Sequence, residues 1–401
     1  MIKVDEAEKN ILETLLECSN TIQDIRNCYR EILAEGITAD RDYPPFDRVA
    51  MDGIAISFNA FEKGNKTFII QDTQKAGQAQ LTLKGNEYCI EVMTGCSLPI
   101  GCNCVIKVED LTINENKALL KDNLDLVFYN NIHSKGSDYK KDDKLISIGT
   151  ELLMSHISIM ASVGKKYALV KKNPSIAFVS TGDELVPIDA KNIEDYQIRI
   201  SNSYAMYSSL SKKWNSKIQI FHIKDSISDL KTELSKIIND FDVVILSGGV
   251  SMGKFDYIPS VMKELEVKEI FHKIAQKPGK PFWFGKTKNQ KPIFGLPGNP
   301  VSSMVCFYRY ILPYLYKSIG KKTDFKRTIL LAEEIKTNNN LVTFLPVKIY
   351  TEGSKIFATS LKNNGSGDFY SLEKSDGFIE VESNKGILDK NTEVSFYSWK
   401  L

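Results

Sequence analysis

The sequence predicts a multidomain α/β protein organised around a doubly wound sheet, and three observations carry that reading. From residue 174 to residue 318, short apolar runs alternate with amphipathic helical patterns, as in a parallel sheet covered on both faces. Three of the apolar runs, Ser175 to Val179, Val243 to Leu246 and Pro292 to Leu296, empty directly into glycine turns. On either side the period changes, with strand-like runs between residues 43 and 134 and again from 319 to 401.

In chain order, residues 1–42 read as helical. Val4, Ala7, Ile11 and Leu15 form one 3.6-residue stripe, and Ile22, Ile25, Tyr29, Ile32 and Leu33 continue it as far as Gly36. Tyr43-Pro44-Pro45-Phe46 then makes a rigid extended break, because a residue before proline is pushed out of the helical region. The runs TFIIQDT, EYCIEVMT and NCVIKVED read as strands of a small β domain. Helical periodicity returns at Leu153, Ile157, Met160 and Ala161, so residues 43–134 are expected to be inserted into a discontinuous helical domain of residues 1–42 and 135–173. The α/β domain of residues 174–318 ends in a long helix, with Asn299 expected as its N-cap and Pro300 at the first helical position. After Gly320 helices are expected to stop, and residues 319–401 read as a C-terminal β-barrel-like domain.

Composition narrows the function. With 52 basic and 50 acidic residues the net charge is +2, which gives no basis for a nucleic-acid or membrane-surface partner. The acidic, helix-patterned N-terminus is unlike a signal peptide, and no apolar run approaches the roughly 18 residues of a membrane span, so a soluble cytoplasmic protein is expected. The seven cysteines show no paired CxxC spacing. Cys96, Cys102 and Cys104 cluster in sequence but match no zinc signature, so the cysteines read as buried reduced thiols.

Loops that follow successive parallel strands open at one edge of a sheet, where ligands bind. The segments Ser180 to Glu184, Ser247-Gly248-Gly249 and Pro297-Gly298-Asn299 are therefore expected to face one pocket, with bare backbone N–H groups available to an anion. Lys277 and Lys280, in the run Lys277-Pro278-Gly279-Lys280-Pro281, add two point charges suited to phosphate or another oxyanion.

These motifs fall into a recognisable order. Ala50-Met51-Asp52-Gly53, Thr94-Gly95-Cys96-Ser97-Leu98-Pro99, Val108-Glu109-Asp110, Gly136-Ser137-Asp138 and Ser180-Thr181-Gly182-Asp183-Glu184-Leu185 are followed by Ser201-Asn202-Ser203-Tyr204 and Ser247-Gly248-Gly249-Val250-Ser251. Lys277 to Pro281 and Gly295 to Ser302 complete the series. Over nearly the whole chain this resembles the molybdopterin molybdenumtransferases, the MoeA proteins and the related E domains of gephyrin and its plant counterpart.

The resemblance implies a four-part subunit with a molybdopterin-binding-type sheet domain, and an elongated homodimer. It implies a Mg²⁺-dependent reaction in which molybdate enters the dithiolene of adenylylated molybdopterin and AMP is released. Asp52, Asp138, Glu184, Asp225 and Asp256 then correspond to acidic residues of the cleft, with Glu184, Asp225 and Asp256 as metal ligands. Substrate contacts are implied for Thr94, Thr181, Gly182, Ser247, Gly248, Gly249, Lys277, Lys280, Pro297, Gly298, Asn299 and Ser366. A molybdopterin adenylyltransferase and acceptor molybdoenzymes are the implied partners. The chain departs from the pattern at Arg48, Val49 and Ile54, and Asn340 to Pro346 lacks two arginines that the family often carries there. Two alternatives are open at this stage: a dimeric E-domain-like scaffold without catalysis, and a molybdopterin adenylyltransferase, which shares the α/β fold but leaves both β domains unexplained.

Overall fold

Strand Val243–Ser247 lies inside a six-stranded sheet in the computed structural model, which describes residues 1–400 other than 213, 252, 254, 255, 323, 338, 339, 363, 364 and 384. The strand order is Ile218–Ile223, Ile176–Thr181, Val243–Ser247, Pro292–Leu296, Trp283–Lys286, Lys268–His272. The first four strands are parallel, Trp283–Lys286 runs antiparallel to them, and Lys268–His272 at the edge is antiparallel to Trp283–Lys286. Every residue of the three strands that lead into glycine turns is buried, as expected where helices cover both faces. Successive residues alternate between two cores. Phe178, Ile245 and Phe294 pack with Met206, Phe307 and Tyr314 on one face. Val179, Val244 and Ile293 pack with Leu230, Leu234 and Met262 on the other.

The long helix after Asn299 runs as Pro300–Cys306, a wider π turn over Phe307–Ile311, and Leu312–Ser318. Pro313 has no N–H to donate to the carbonyl four residues back, and the ladder widens just before it. Within this helix Arg309 is buried and reaches Glu380 at 2.9 Å and Glu8 at 2.8 Å, which ties the N-terminal helix Val4–Leu12 to the same core.

The C-terminal strands close on themselves. Val342–Glu352, Lys355–Ser360, Arg327–Leu331, Glu393–Ser398 and Gly377–Val381 pair in that order, and the last returns to pair with the first, giving a five-stranded barrel. One helix does form after Gly320. Asp368 accepts from the backbone N–H groups of Tyr370 and Ser371 and starts Phe369–Lys374.

The chain divides into a larger unit, Met1–Ile22 with Leu169–Leu401, and a smaller one, Gln23–Ala168. The smaller unit holds the six-stranded sheet Cys104–Lys107, Gly53–Ile56, Tyr88–Val92, Thr67–Gln74, Lys117–Leu120, Leu111–Asn114, and the helix Met154–Ser162. The expected helix through residues 22–36 does not form, so a largely helical first domain is corrected. Asp24 accepts from the Arg26 N–H and starts a single 3-10 turn, Ile25–Asn27. Arg30 then takes a left-handed φ of 65°, and its N–H and that of Leu33 go to the carbonyls of Leu152 and Thr150. Ile22 and Tyr29, members of the supposed stripe, are 74% and 56% exposed. No helix among the described residues is long and apolar enough to cross a membrane.

Candidate active site

The carboxyl ends of Ile176–Thr181, Val243–Ser247 and Pro292–Leu296 share one sheet edge. Trp283–Lys286 runs the other way, pairing Trp283 with Gly295, so the loop that enters it, Lys277 to Pro281, reaches the same edge from its amino end. Strand direction thus places the lysines beside the glycine turns.

In the middle of the edge, Gly248 has φ of 106° and its N–H donates to the Leu296 carbonyl at 3.1 Å. A Cβ at Gly248 would stand 2.5 Å from the Thr181 carbonyl oxygen, so glycine is required there by backbone and by contact. The Thr181 hydroxyl is buried against this turn and has no hydrogen-bond partner among the described residues. Such an orphan is costly unless a ligand or water completes it. Asn202 ties the start of its own helix to two neighbouring segments: its amide Nδ2 lies 3.0 Å from Ser247 Oγ, 2.7 Å from the Gly298 carbonyl and 3.3 Å from Ser303 Oγ.

One end of the edge is acidic. Asp225 follows Ile218–Ile223, and its N–H donates to Asp183 Oδ1 at 3.2 Å. Partial burial, with the charges of Asp183, Glu184 and Asp256, pushes the Asp225 carboxyl up to about 6. Asp256 folds onto its own loop and accepts from the Gly253 N–H at 2.6 Å. His222 Nε2 lies 3.1 Å from the Gly182 carbonyl, which holds the turn that carries Asp183 and Glu184. Among the described residues no group of three or more acidic, histidine or cysteine side chains could hold a metal by itself. A cluster of mutually repelling carboxylates still fits Mg²⁺, which binds through one or two carboxylates and takes its other oxygens from substrate phosphate and water.

The other end is basic. A cavity of about 590 Å³ is lined by Lys277, Lys280, Pro297, Gly298, Asn299 and Ser366 among others, and no carboxylate is among its described lining residues. The lysine loop is held from beneath. Gln276 is fully buried, accepts from Tyr310 at 2.5 Å and donates to the Pro278 carbonyl at 3.0 Å. Gly279 has φ of 89°, and a Cβ there would meet Cys306 Sγ at 2.6 Å. Buried anchors turn Lys277 and Lys280 outward, and neither has a side-chain ion-pair partner among the described residues. Asn299 stands at the N-cap with Pro300 at the first helical position, but its side chain does not cap. It donates to Ser366 Oγ at 2.7 Å.

Asp52, Thr94 and Asp138 lie in the smaller unit. Asp52 Oδ1 accepts from the Thr94 N–H at 2.6 Å and its hydroxyl at 2.7 Å, which lowers the Asp52 carboxyl below its ordinary range. Asp138 is fixed by its N–H to the Tyr43 carbonyl at 3.0 Å and accepts from Ser137 Oγ at 3.3 Å. The cysteine expectation is met: the seven are free thiols, six of them buried, and burial pushes Cys89 and Cys102 up to about 12. Asp183, Asn202 and His222 were not among the expected site residues. For Asn202 the signal was present in the Ser-Asn-Ser run, whereas Asp183 and His222 act through the packing of the turn.

Three family descriptions match the chain in order: the MoeA N-terminal region (domain I and II) over residues 2–164, a probable molybdopterin binding domain over 177–317, and the MoeA C-terminal region (domain IV) over 328–399. A molybdopterin molybdenumtransferase of Synechocystis sp. is 36% identical over 403 residues, covering 100% of both chains. That of Haemophilus influenzae is 30% identical over 391 residues, covering 96% of each. Among solved structures, a molybdopterin biosynthesis MoeA protein from Pyrococcus horikosii is similar with a TM-score of 0.84 at 27% identity, covering 100% of both chains.

Proposed function

Because the chain belongs to the MoeA family of molybdopterin molybdenumtransferases, and so serves molybdenum cofactor biosynthesis, we propose that it inserts molybdate into adenylylated molybdopterin and releases AMP. The observation that carries this reading is the opposite charge at the two ends of one sheet edge, with neutral glycine turns between them. A substrate with a phosphoanhydride needs cations for its phosphates, and a divalent ion bridging those phosphates needs carboxylates.

Lys277 and Lys280 would hold phosphate oxygens, and the Thr181 hydroxyl with the amides of Gly248 and Gly249 would orient them. Asn202 keeps the Ser247 and Gly298 turns in register. Water attacks one phosphorus of the phosphoanhydride, the bridging P–O bond breaks, and AMP and the molybdopterin phosphate separate with release of a proton. The two dithiolene thiols bind molybdenum through their sulfurs and give up two protons, with which one molybdate oxygen departs as water, so molybdenum keeps its oxidation state. Mg²⁺ held by one or two of the carboxylates Asp225, Asp256 and Glu184, with substrate phosphate and water completing its oxygens, would supply Lewis-acid stabilisation of charge on the phosphoryl oxygens. Two copies of the chain would form the working homodimer, with Asp52 and Thr94 of one subunit completing the cleft of the other, in the cytoplasm, between an adenylyltransferase and the acceptor molybdoenzymes.

The test is AMP release by the purified protein given adenylylated molybdopterin, molybdate and magnesium. Molybdate-dependent AMP is the expected result; no AMP, or AMP formed equally well without molybdate, overturns the reading.

A further inference from the structure

We infer that Lys336 is a third phosphate-binding cation of the same cavity, supplied by the C-terminal barrel region, and that it sets substrate affinity. The cavity has two walls. One comes from the α/β loops and carries Lys277 and Lys280; the other comes from Lys336, Thr337, Leu341, Thr343, Leu345 and Ser366, and Lys336 is its one charged member among the described residues. The strand Val342–Glu352 offers no arginine or lysine to this wall at Leu341 to Leu345.

The local structure aims the side chain outward. Strand Ile335–Thr337 pairs with Gly386–Leu388, Lys336 opposite Ile387, and buries Ile335 and Thr337 on either side of exposed Lys336. Alternation along a strand sends the lysine away from the core. The two walls are also joined by backbone pairing: Gln276 and Lys277 form a short parallel ladder with Val342 and Thr343. The first lysine wall and the barrel are therefore held at fixed separation.

The competing partner is weak. Glu334 lies 3.7 Å from Lys336 Nζ, with the two side chains 49% and 73% exposed, and such a solvated pair holds its lysine loosely. Three ammonium groups around a cavity without a described carboxylate repel one another, and a ligand with more than one negative charge relieves that repulsion. The chemistry selected is a phosphoanhydride joined to a flat heteroaromatic ring, whose faces the leucine and proline side chains of the lining can cover. This inference rests on the function proposed above and names a residue that would hold its substrate.

The test measures KM, kcat and equilibrium binding of adenylylated molybdopterin for wild type, Lys336→Ala, Lys336→Arg and Lys336→Glu. At low salt the alanine variant should raise KM and Kd about tenfold, the size of a lost charge-assisted contact, with kcat within about twofold. Glutamate should cost more than alanine, and arginine should retain affinity. The loss should shrink as added salt screens the wild-type attraction, and melting temperature should not move because the side chain is solvated. Wild-type Kd in both the alanine and glutamate variants overturns the inference even where AMP release is normal. Weakened binding in those variants with no AMP release from wild type upholds the inference and overturns molybdate insertion. A wild type that does not bind the ligand at all overturns both.

Discussion

The two ends of the sheet edge are built by opposite strand directions and hold opposite charge. At the acidic end, Asp183, Glu184 and Asp225 follow parallel strands, and burial, helped by the neighbouring carboxylates, pushes the Asp225 carboxyl up to about 6. At the basic end, Lys277 and Lys280 precede an antiparallel strand, on a loop anchored by buried Gln276 and Gly279. At the acidic end a carboxyl is partly buried beside others of its own charge, whereas the basic end is held by neutral hydrogen bonds underneath. A magnesium-bound phosphoanhydride would neutralise charge at both ends at once.

Breaking the acidic end should have the largest effect. Asp225→Asn and Asp256→Asn should fold yet lose about 100-fold or more in AMP release, the scale for removing a transition-state contact. Mixed dimers of Asp256→Asn with Asp52→Asn should regain activity, because one of their two clefts is wild type if each cleft draws on both subunits. Normal turnover of the single variants would remove the acidic end from the chemistry, and dead heterodimers would remove the shared cleft.

The neutral middle comes next. Gly248→Ala places a Cβ 2.5 Å from the Thr181 carbonyl at a φ of 106°, so strain of about 1–3 kcal/mol should appear as a lower melting temperature together with lost turnover. An unchanged melting curve would mean that the turn relaxes freely. At the basic end, Lys277→Ala should raise KM about tenfold at low salt and much less at high salt. A salt-independent KM would make this an ordinary surface lysine.

The smallest effect sharpens the comparison through pH. The Asp225 carboxyl is raised in the folded protein, so between the ordinary value of 3.8 and about 6 the folded state binds more protons than the unfolded state. Stability from this group is therefore lost as pH rises through that window. With chelator present, Asp225→Asn should melt slightly higher than wild type at pH 7.5 and equal to it below pH 4. Magnesium should raise the wild-type melting temperature at pH 7.5 and the variant's less. Coincident curves at pH 7.5 would show that the neighbouring carboxylates are solvated apart.

Much of the site was legible because glycine turns after apolar runs, and lysines between prolines, are local features. The N-terminal stripe misled for a physical reason. Periodicity at Ile22, Ile25 and Tyr29 suggests a helix, but the N–H groups of Arg30 and Leu33 find partners at Leu152 and Thr150, about 120 residues away. Asn299 shows the same limit. Its place at the N-cap is local, while its side chain is taken by Ser366, a residue from beyond the α/β domain.

Residue order alone is enough to mark which segments are buried strands, where the backbone turns sharply, and which loops carry charge. Those properties follow from neighbours a few residues apart, through side-chain alternation, glycine's access to positive φ and proline's fixed geometry. It takes the folded chain to show that Trp283–Lys286 runs antiparallel and brings the lysine loop to the ligand edge, that Asp183 stands against Asp225, and that Lys336 shares a cavity with Lys277. Each of these depends on pairing between distant strands, and the hydrogen bonds that settle strand direction leave no local pattern in the residues they join.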